Sequence, residues 1–332
     1  MIVFLHSYAG GGDEWDLFFH TLTISAVPMF MGVSGYLLFF MKHKNDRFWI
    51  RMMIRYSALF SFWYILYVLF TYYIISVGQE VSVYTYMLQN LDGWMYWYLL
   101  VLIEILIAYP IIKEFLSNEK IKMYYILLWL VMVSLRQAIT IGTIPVQILD
   151  VIQVPLFQTK SYIGGTVLAH YPTECLGVFV VLGAFIDRII KGRVSRRVST
   201  GIIVAGVLAG FYITIIEYLL YSMNRPTDMV TQPIQLQVCA FAAMIILLVK
   251  FWYNIIGERC KKLFGWISRQ SLGVYMIHPF IIVYVRKFCS GCRISVPIII
   301  TICTGGITIA FSLVCTCMLR RILPKWLSYY VI

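Results

Sequence analysis

Charge is scarce in this sequence. Asp, Glu, Lys and Arg make up 13% of the 332 residues, about half the share of an ordinary soluble domain. With 61% apolar residues and a mean hydropathy of +0.83, that scarcity excludes a soluble globular chain and a disordered one alike. Proline (10) and glycine (22) are too few, and recur at no fixed period, for a collagen-like chain. Eight cysteines are too thin a supply for a secreted disulfide scaffold. Cys239, Cys303, Cys315 and Cys317 sit in apolar stretches and read as structural. Only Cys289 and Cys292 form a CxxC, with no second pair or nearby His, so no metal is implied. No basic segment precedes the first apolar run, which argues against a signal peptide. What is left is an all-α polytopic membrane protein, a single integral domain over residues 1–332.

A helix needs about 20 apolar residues to cross the hydrocarbon core. The apolar runs predict nine spans, near 27–42, 54–76, 94–112, 123–140, 174–190, 201–223, 233–253, 272–288 and 297–319. A tenth piece, Met1 to Ala9, is too short to cross alone. The basic residues exceed the acidic ones by 27 to 15. With Gly10 to Ser25 taken as an outer loop, alternation along the chain places 21 of those 27 on the inner side. That is the positive-inside pattern, and it puts the C-terminus (Arg320, Arg321, Lys325) in the cytoplasm. Met1 to Ala9 then becomes the outer end of an incomplete first helix, for about ten spans in all. The stretch from Ile141 to Thr173, with Pro145, Pro155 and Pro172, reads as a re-entrant or surface-lying segment walling an outward cavity.

Five short stretches stand out in order. They are Val3-Phe4-Leu5-His6-Ser7, the run from Val27 and Pro28 through Phe30 to Ser34-Gly35, and Arg47, Arg51 and Arg55 around Phe48. Trp97-Tyr98-Leu99 with Pro110 follows, and then Ser271 to Tyr275-Met276-Ile277-His278-Pro279. Together they resemble the bacterial membrane acyltransferase 3 family, whose members O-acylate surface and secreted glycans from cytoplasmic acyl-CoA. The resemblance covers nearly the whole chain. Three features depart from it: the family's Arg about eleven residues before the helix-one His would fall before Met1, Met95 stands where many members carry His, and Arg51 and Arg55 are spaced one residue looser than the family's Arg pair.

The resemblance implies a ten-helix fold around an acyl-CoA and acceptor channel. It also implies acyl-CoA, acetyl-CoA above all, as co-substrate rather than a resident cofactor, and a glycan or lipid-linked saccharide as acceptor, with no nucleic acid partner. The location implied is the bacterial cytoplasmic membrane.

Chemistry assigns roles among these residues. Transfer of an acyl group to a hydroxyl needs a base, and an imidazole suits that task near neutral pH. His6 is therefore the main catalytic candidate, as base or as acyl carrier, although a His at a helix end also simply caps it. Arg47, Arg51 and Arg55 recur every four residues and share one helical face. Such a row can grip the phosphates of coenzyme A or anchor the helix to anionic headgroups.

Glu104 lies mid-span, two turns from Trp97, where a carboxylate either pairs structurally or orients the catalytic His. Ser34 and Trp97 are candidate channel-lining residues; Gly35 reads as helix packing. His278 precedes Pro279, so its ring is placed to bond a carbonyl freed by the proline, or to line the channel. Glu217 reads as structural. His20 and His43 read as ordinary loop residues, and His170 and Glu174 as a solvated outer pair or acceptor contacts. No Gly-x-Ser-x-Gly elbow supports a hydrolase nucleophile.

The reading is a membrane O-acyltransferase of envelope glycans. The competing class is an exporter or flippase of a polysaccharide precursor, which would ignore acyl-CoA and tolerate loss of His6. A membrane sensor domain is a third reading, opposed by the absence of an attached soluble domain.

Overall fold

The computed structural model describes residues 1–8, 14–42, 47–75, 82–83, 86, 96–131, 133–134, 167–222, 235–291, 296–324 and 328. Among these there is no strand. Among the described residues six helices are long and apolar enough to cross a membrane: Trp15–Phe40, Phe48–Ile74, Arg196–Ser222, Leu236–Ile255, Glu258–Cys289 and Pro297–Ile322. The protein is a multi-pass helical membrane protein. Residues 135–140 of the span expected at 123–140, and residues 141–166 of the segment after it, lie outside the described residues, as do Met95, His43 and Cys292. The side chains of His170 and Glu174 lie outside them too.

Two sequence-based boundaries are corrected. The expected outer loop Gly10 to Ser25 is helical from Glu14 to Ile24 and leads into a second helix, Ala26–Gly35. The break between them follows from Pro28, whose ring clashes with the carbonyl four residues back and which has no N–H to donate to it. That carbonyl is Ile24's, the last of the first segment. The apolar run 94–112 is likewise divided, into Trp97–Ile107 and Tyr109–Ser117, with Pro110 just inside the second helix as the same rule requires.

The described residues fall into two compact units. The first comprises Met1–Ile2, Gly10–Lys42 and Ile111–Ile255. In it, helix Ala26–Gly35 lies backbone to backbone against helix Val167–Ile190. A methyl group on Gly32 would come within 2.7 Å of Leu182 Cβ, and one on Gly183 within 2.8 Å of the Gly35 carbonyl carbon. Small residues at a helix crossing are the usual means of close association in lipid, where no hydrophobic effect draws helices together. Helix Arg196–Ser222 packs on Leu236–Ile255 by the same device, Gly206 under Met244 and Gly210 under Phe241.

The second unit comprises Val3–Ala9, His43–Pro110 and Ile256–Ile332. Its helices Glu258–Gly291 and Pro297–Ile322 pack along each other, and Arg320 Nη2 donates to the Arg269 carbonyl at 2.8 Å. The buried face of Pro297–Ile322 is made of Thr301, Thr304, Gly305, Thr308, Ser312 and Thr316. Its exposed face carries Ile299, Ile302, Phe311, Val314, Met318 and Ile322. Polar inside and apolar outside is the inversion that a lipid solvent selects. The short helix Ile2–Ser7 sits on this pair, Phe4 filling the space that Gly305 leaves.

Candidate active site

The site forms in the second unit, at the end of the short helix that carries His6. The His6 ring stacks on His278, with centroids 5.3 Å apart and planes at 25°. Arg286 Nη2 donates to the main-chain carbonyl of His6 at 2.7 Å. Arg286 stands eight residues after His278 on the same helix, so one rigid element holds both the partner ring and the clamp on the His6 backbone.

His278 is wholly buried, and its Nδ1–H donates to the Tyr275 carbonyl at 2.7 Å. Pro279 explains that bond. Four residues beyond Tyr275, it has no N–H to offer the carbonyl, and the imidazole next to it supplies the missing donor. The expectation that His278 serves a carbonyl freed by the proline is borne out.

Aromatic rings wall this region. Tyr96 is buried, and its hydroxyl donates to the Met276 carbonyl at 2.8 Å. The Tyr96 ring meets Tyr67 and Tyr275 edge-on, at 5.7 Å and 6.2 Å. Phe280 packs among Trp63, Tyr67 and Phe70. Edge-on rings in this arrangement pack favourably, and they lie along the helix that carries His278.

A family model described as an acyltransferase domain matches residues 1–317. The chain belongs to the acyltransferase 3 family. No curated protein and no solved structure matches it. Family and helices together make it a multi-pass membrane acyltransferase.

The acyltransferase places its other sequence-nominated residues as follows. Arg47 caps the start of helix Phe48–Phe70, and Arg51 and Arg55 follow on its first two turns, with Arg47 and Arg51 exposed. No acidic residue occupies that first turn. Glu104 is half-buried on helix Trp97–Ile107, its carbonyl accepting from the Ala108 amide at 3.0 Å. Among the described residues its carboxylate forms no ion pair and is not bonded to His6. Trp97 begins the same helix, next to Tyr96. Ser34 lies in the first unit beside Gly35, whose packing role is borne out. Of the expected set, the structure joins His6 and His278.

One constellation was missed. His20, read as a loop residue, is buried in helix Glu14–Ile24, and its Nδ1 lies 2.6 Å from Glu217 Oε1. Glu217 is wholly buried, so its structural reading fits, but its partner was not foreseen. One turn along, Thr214 Oγ1 and Thr21 Oγ1 are 3.1 Å apart. The available signal was the four-residue spacing of Asp16 and His20, which puts both on one helical face.

Proposed function

We propose that this protein moves an acyl group, acetyl above all, from cytoplasmic acyl-CoA to a hydroxyl of a cell-envelope glycan or glycolipid. The observation that carries the reading is the His6–His278 stack in a chain of an acyltransferase family. An imidazole is the group best suited to take a hydroxyl proton at neutral pH, and a His inside a membrane protein is a functional candidate by default. His6 is the ring at the point of transfer, as base or acyl carrier. Glu104 assists as a second catalytic residue, and Ser34 and Trp97 serve as channel-lining residues.

Arg47, Arg51 and Arg55 take the donor's phosphates in this reading. A helix N-terminus carries partial positive charge and is normally matched by acidic side chains. Here basic ones take their place, and that combination suits an anion supplied by a ligand. The reading includes a bacterial plasma membrane location, about ten spans and a channel between donor and acceptor, and the charge split between loops supports its cytoplasmic C-terminus.

Membrane vesicles bearing the protein, given radiolabelled acetyl-CoA, test the reading. Label is expected in glycan with wild type and not with His6→Ala. Label in both variants demotes His6 and keeps the class. Well-folded protein that yields no label from any short acyl-CoA overturns the reading. A proton-coupled exporter is then the second one, favoured by the buried His20–Glu217 pair, since His and carboxylate chains inside membranes carry protons in transporters.

A further inference from the structure

His278 was expected at most to line a channel, yet its ring is set up as that of a base. The carbonyl of Tyr275 can only accept, so the proton must sit on Nδ1, and the neutral ring then carries its lone pair on Nε2. Nε2 is buried and meets no hydrogen-bond partner, in a residue with 0% exposure. Buried polar atoms without a partner are rare, and each calls for an explanation such as a catalytic role. A ring oriented through one nitrogen, with the other keeping its lone pair unbonded, is the arrangement that general bases share. The His-Pro dipeptide produces it locally, and the His6 ring stacked alongside brings it to the acyl-transfer point.

We propose that His278 Nε2 is the atom that receives the acceptor's hydroxyl proton, with His6 stacked beside it. This rests on the acyltransferase reading and deepens it. The hydroxyl oxygen attacks the acyl carbonyl as its proton passes to Nε2. The bond between the acyl carbon and its leaving group breaks, and Nε2 returns the proton to that group. The leaving group is the donor's thiolate in direct transfer, or the His6 nitrogen if the acyl group is first carried there. Ester and thiol are the products either way, with no further reactant.

The test is turnover in vesicles with His278→Asn and His278→Ala, both against wild type. Asn keeps an N–H for the Tyr275 carbonyl and fills most of the space but offers no basic nitrogen, so it separates base loss from misfolding. Turnover is expected to fall about 10²–10⁴-fold in both, the range of a general base, with the KM for acyl-CoA and the unfolding temperature of the Asn variant unchanged. Added imidazole is expected to restore part of the His278→Ala activity and none of the His278→Asn activity. The proposal is overturned if His278→Asn keeps more than half of wild-type turnover, or if its loss comes with a matching fall in unfolding temperature. Absence of transfer by wild type from any acyl-CoA instead strikes the acyltransferase reading itself.

Discussion

His20 and Glu217, 197 residues apart in sequence, meet at 2.6 Å inside the first unit. Their helices, Glu14–Ile24 and Arg196–Ser222, pack on each other, and the pair lies on the buried side of both. Glu217 Oε2 is buried without a partner, so His20 is the only group among the described residues that satisfies this carboxylate.

Removal of one partner is therefore costly. A buried pair broken from one side loses about 3–5 kcal/mol, because the remaining group stays desolvated without that partner. His20→Ala and Glu217→Ala are each expected to lower stability by that amount in detergent-solubilised protein. The double variant is expected to cost less than the two singles summed. Thermal unfolding of all four proteins measures the coupling; strict additivity means that the pair holds nothing together.

The glycines separate in the same way into those that touch and those that do not. Gly35 lies so close to the backbone of Phe179 that a methyl group has no room, and Gly183 reciprocates from the other helix. Gly35→Ala and Gly183→Ala are expected to destabilise by about 1–3 kcal/mol, the range of overpacked cores. Gly201 and Gly265 have open space around them on helical backbone. There the same change is expected to stabilise by about 0.5–1 kcal/mol, the ordinary gain of Ala over Gly in a helix. Unfolding midpoints of the four variants check the contrast, and equal shifts at all four count against the packing described.

Local composition made much of this molecule readable beforehand. The spans Phe48–Ile74, Leu236–Ile255 and Pro297–Ile322 fall close to the runs expected at 54–76, 233–253 and 297–319, because lipid-facing residues must be apolar in any order. The bond made by His278 was readable too, since Pro279 frees its carbonyl within one turn. His20 was not. Asp16, His20, Thr21, Thr23 and Ser25 look like a polar loop; in the fold Thr21, Thr23 and Ser25 bond carbonyls one turn back, and His20 meets a carboxylate 197 residues away that local sequence does not reveal. The hydroxyl face of Pro297–Ile322 was hidden for a related reason. Thr and Ser dilute an apolar run without breaking it, so the sequence marks the span but not the side that turns inward.

That inward side invites a direct test. Thr304, Thr308 and Ser312 have buried hydroxyls without a partner, whereas Thr316 Oγ1 donates to the Ser312 carbonyl at 2.7 Å. Thr308→Val removes an unsatisfied polar atom at nearly constant shape and is expected to be neutral or slightly stabilising. Thr316→Val gives up a made bond and is expected to cost about 0.5–1.5 kcal/mol. Unfolding midpoints in the same detergent compare the two. A larger loss for Thr308→Val means that its hydroxyl bonds a group such as ordered water.

Arg47 and Arg51 test the donor end of the proposed reaction. Both are exposed at the start of helix Phe48–Phe70, where the helix dipole favours a bound anion. If they bind the phosphates of acyl-CoA, each Arg→Ala change removes an interaction made equally in the ground and transition states. Such a loss raises KM and leaves kcat alone. Charge-assisted hydrogen bonds contribute about 1.5–3 kcal/mol, so the KM for acyl-CoA is expected to rise about 10- to 150-fold per arginine, by the tenfold-per-1.4 kcal/mol conversion. Lys substitution is expected to recover only part of this, because an ammonium lacks the guanidinium's fork of donors. If Arg51→Ala leaves KM unchanged yet weakens association with anionic lipid vesicles, the row is a headgroup anchor and the donor site lies elsewhere.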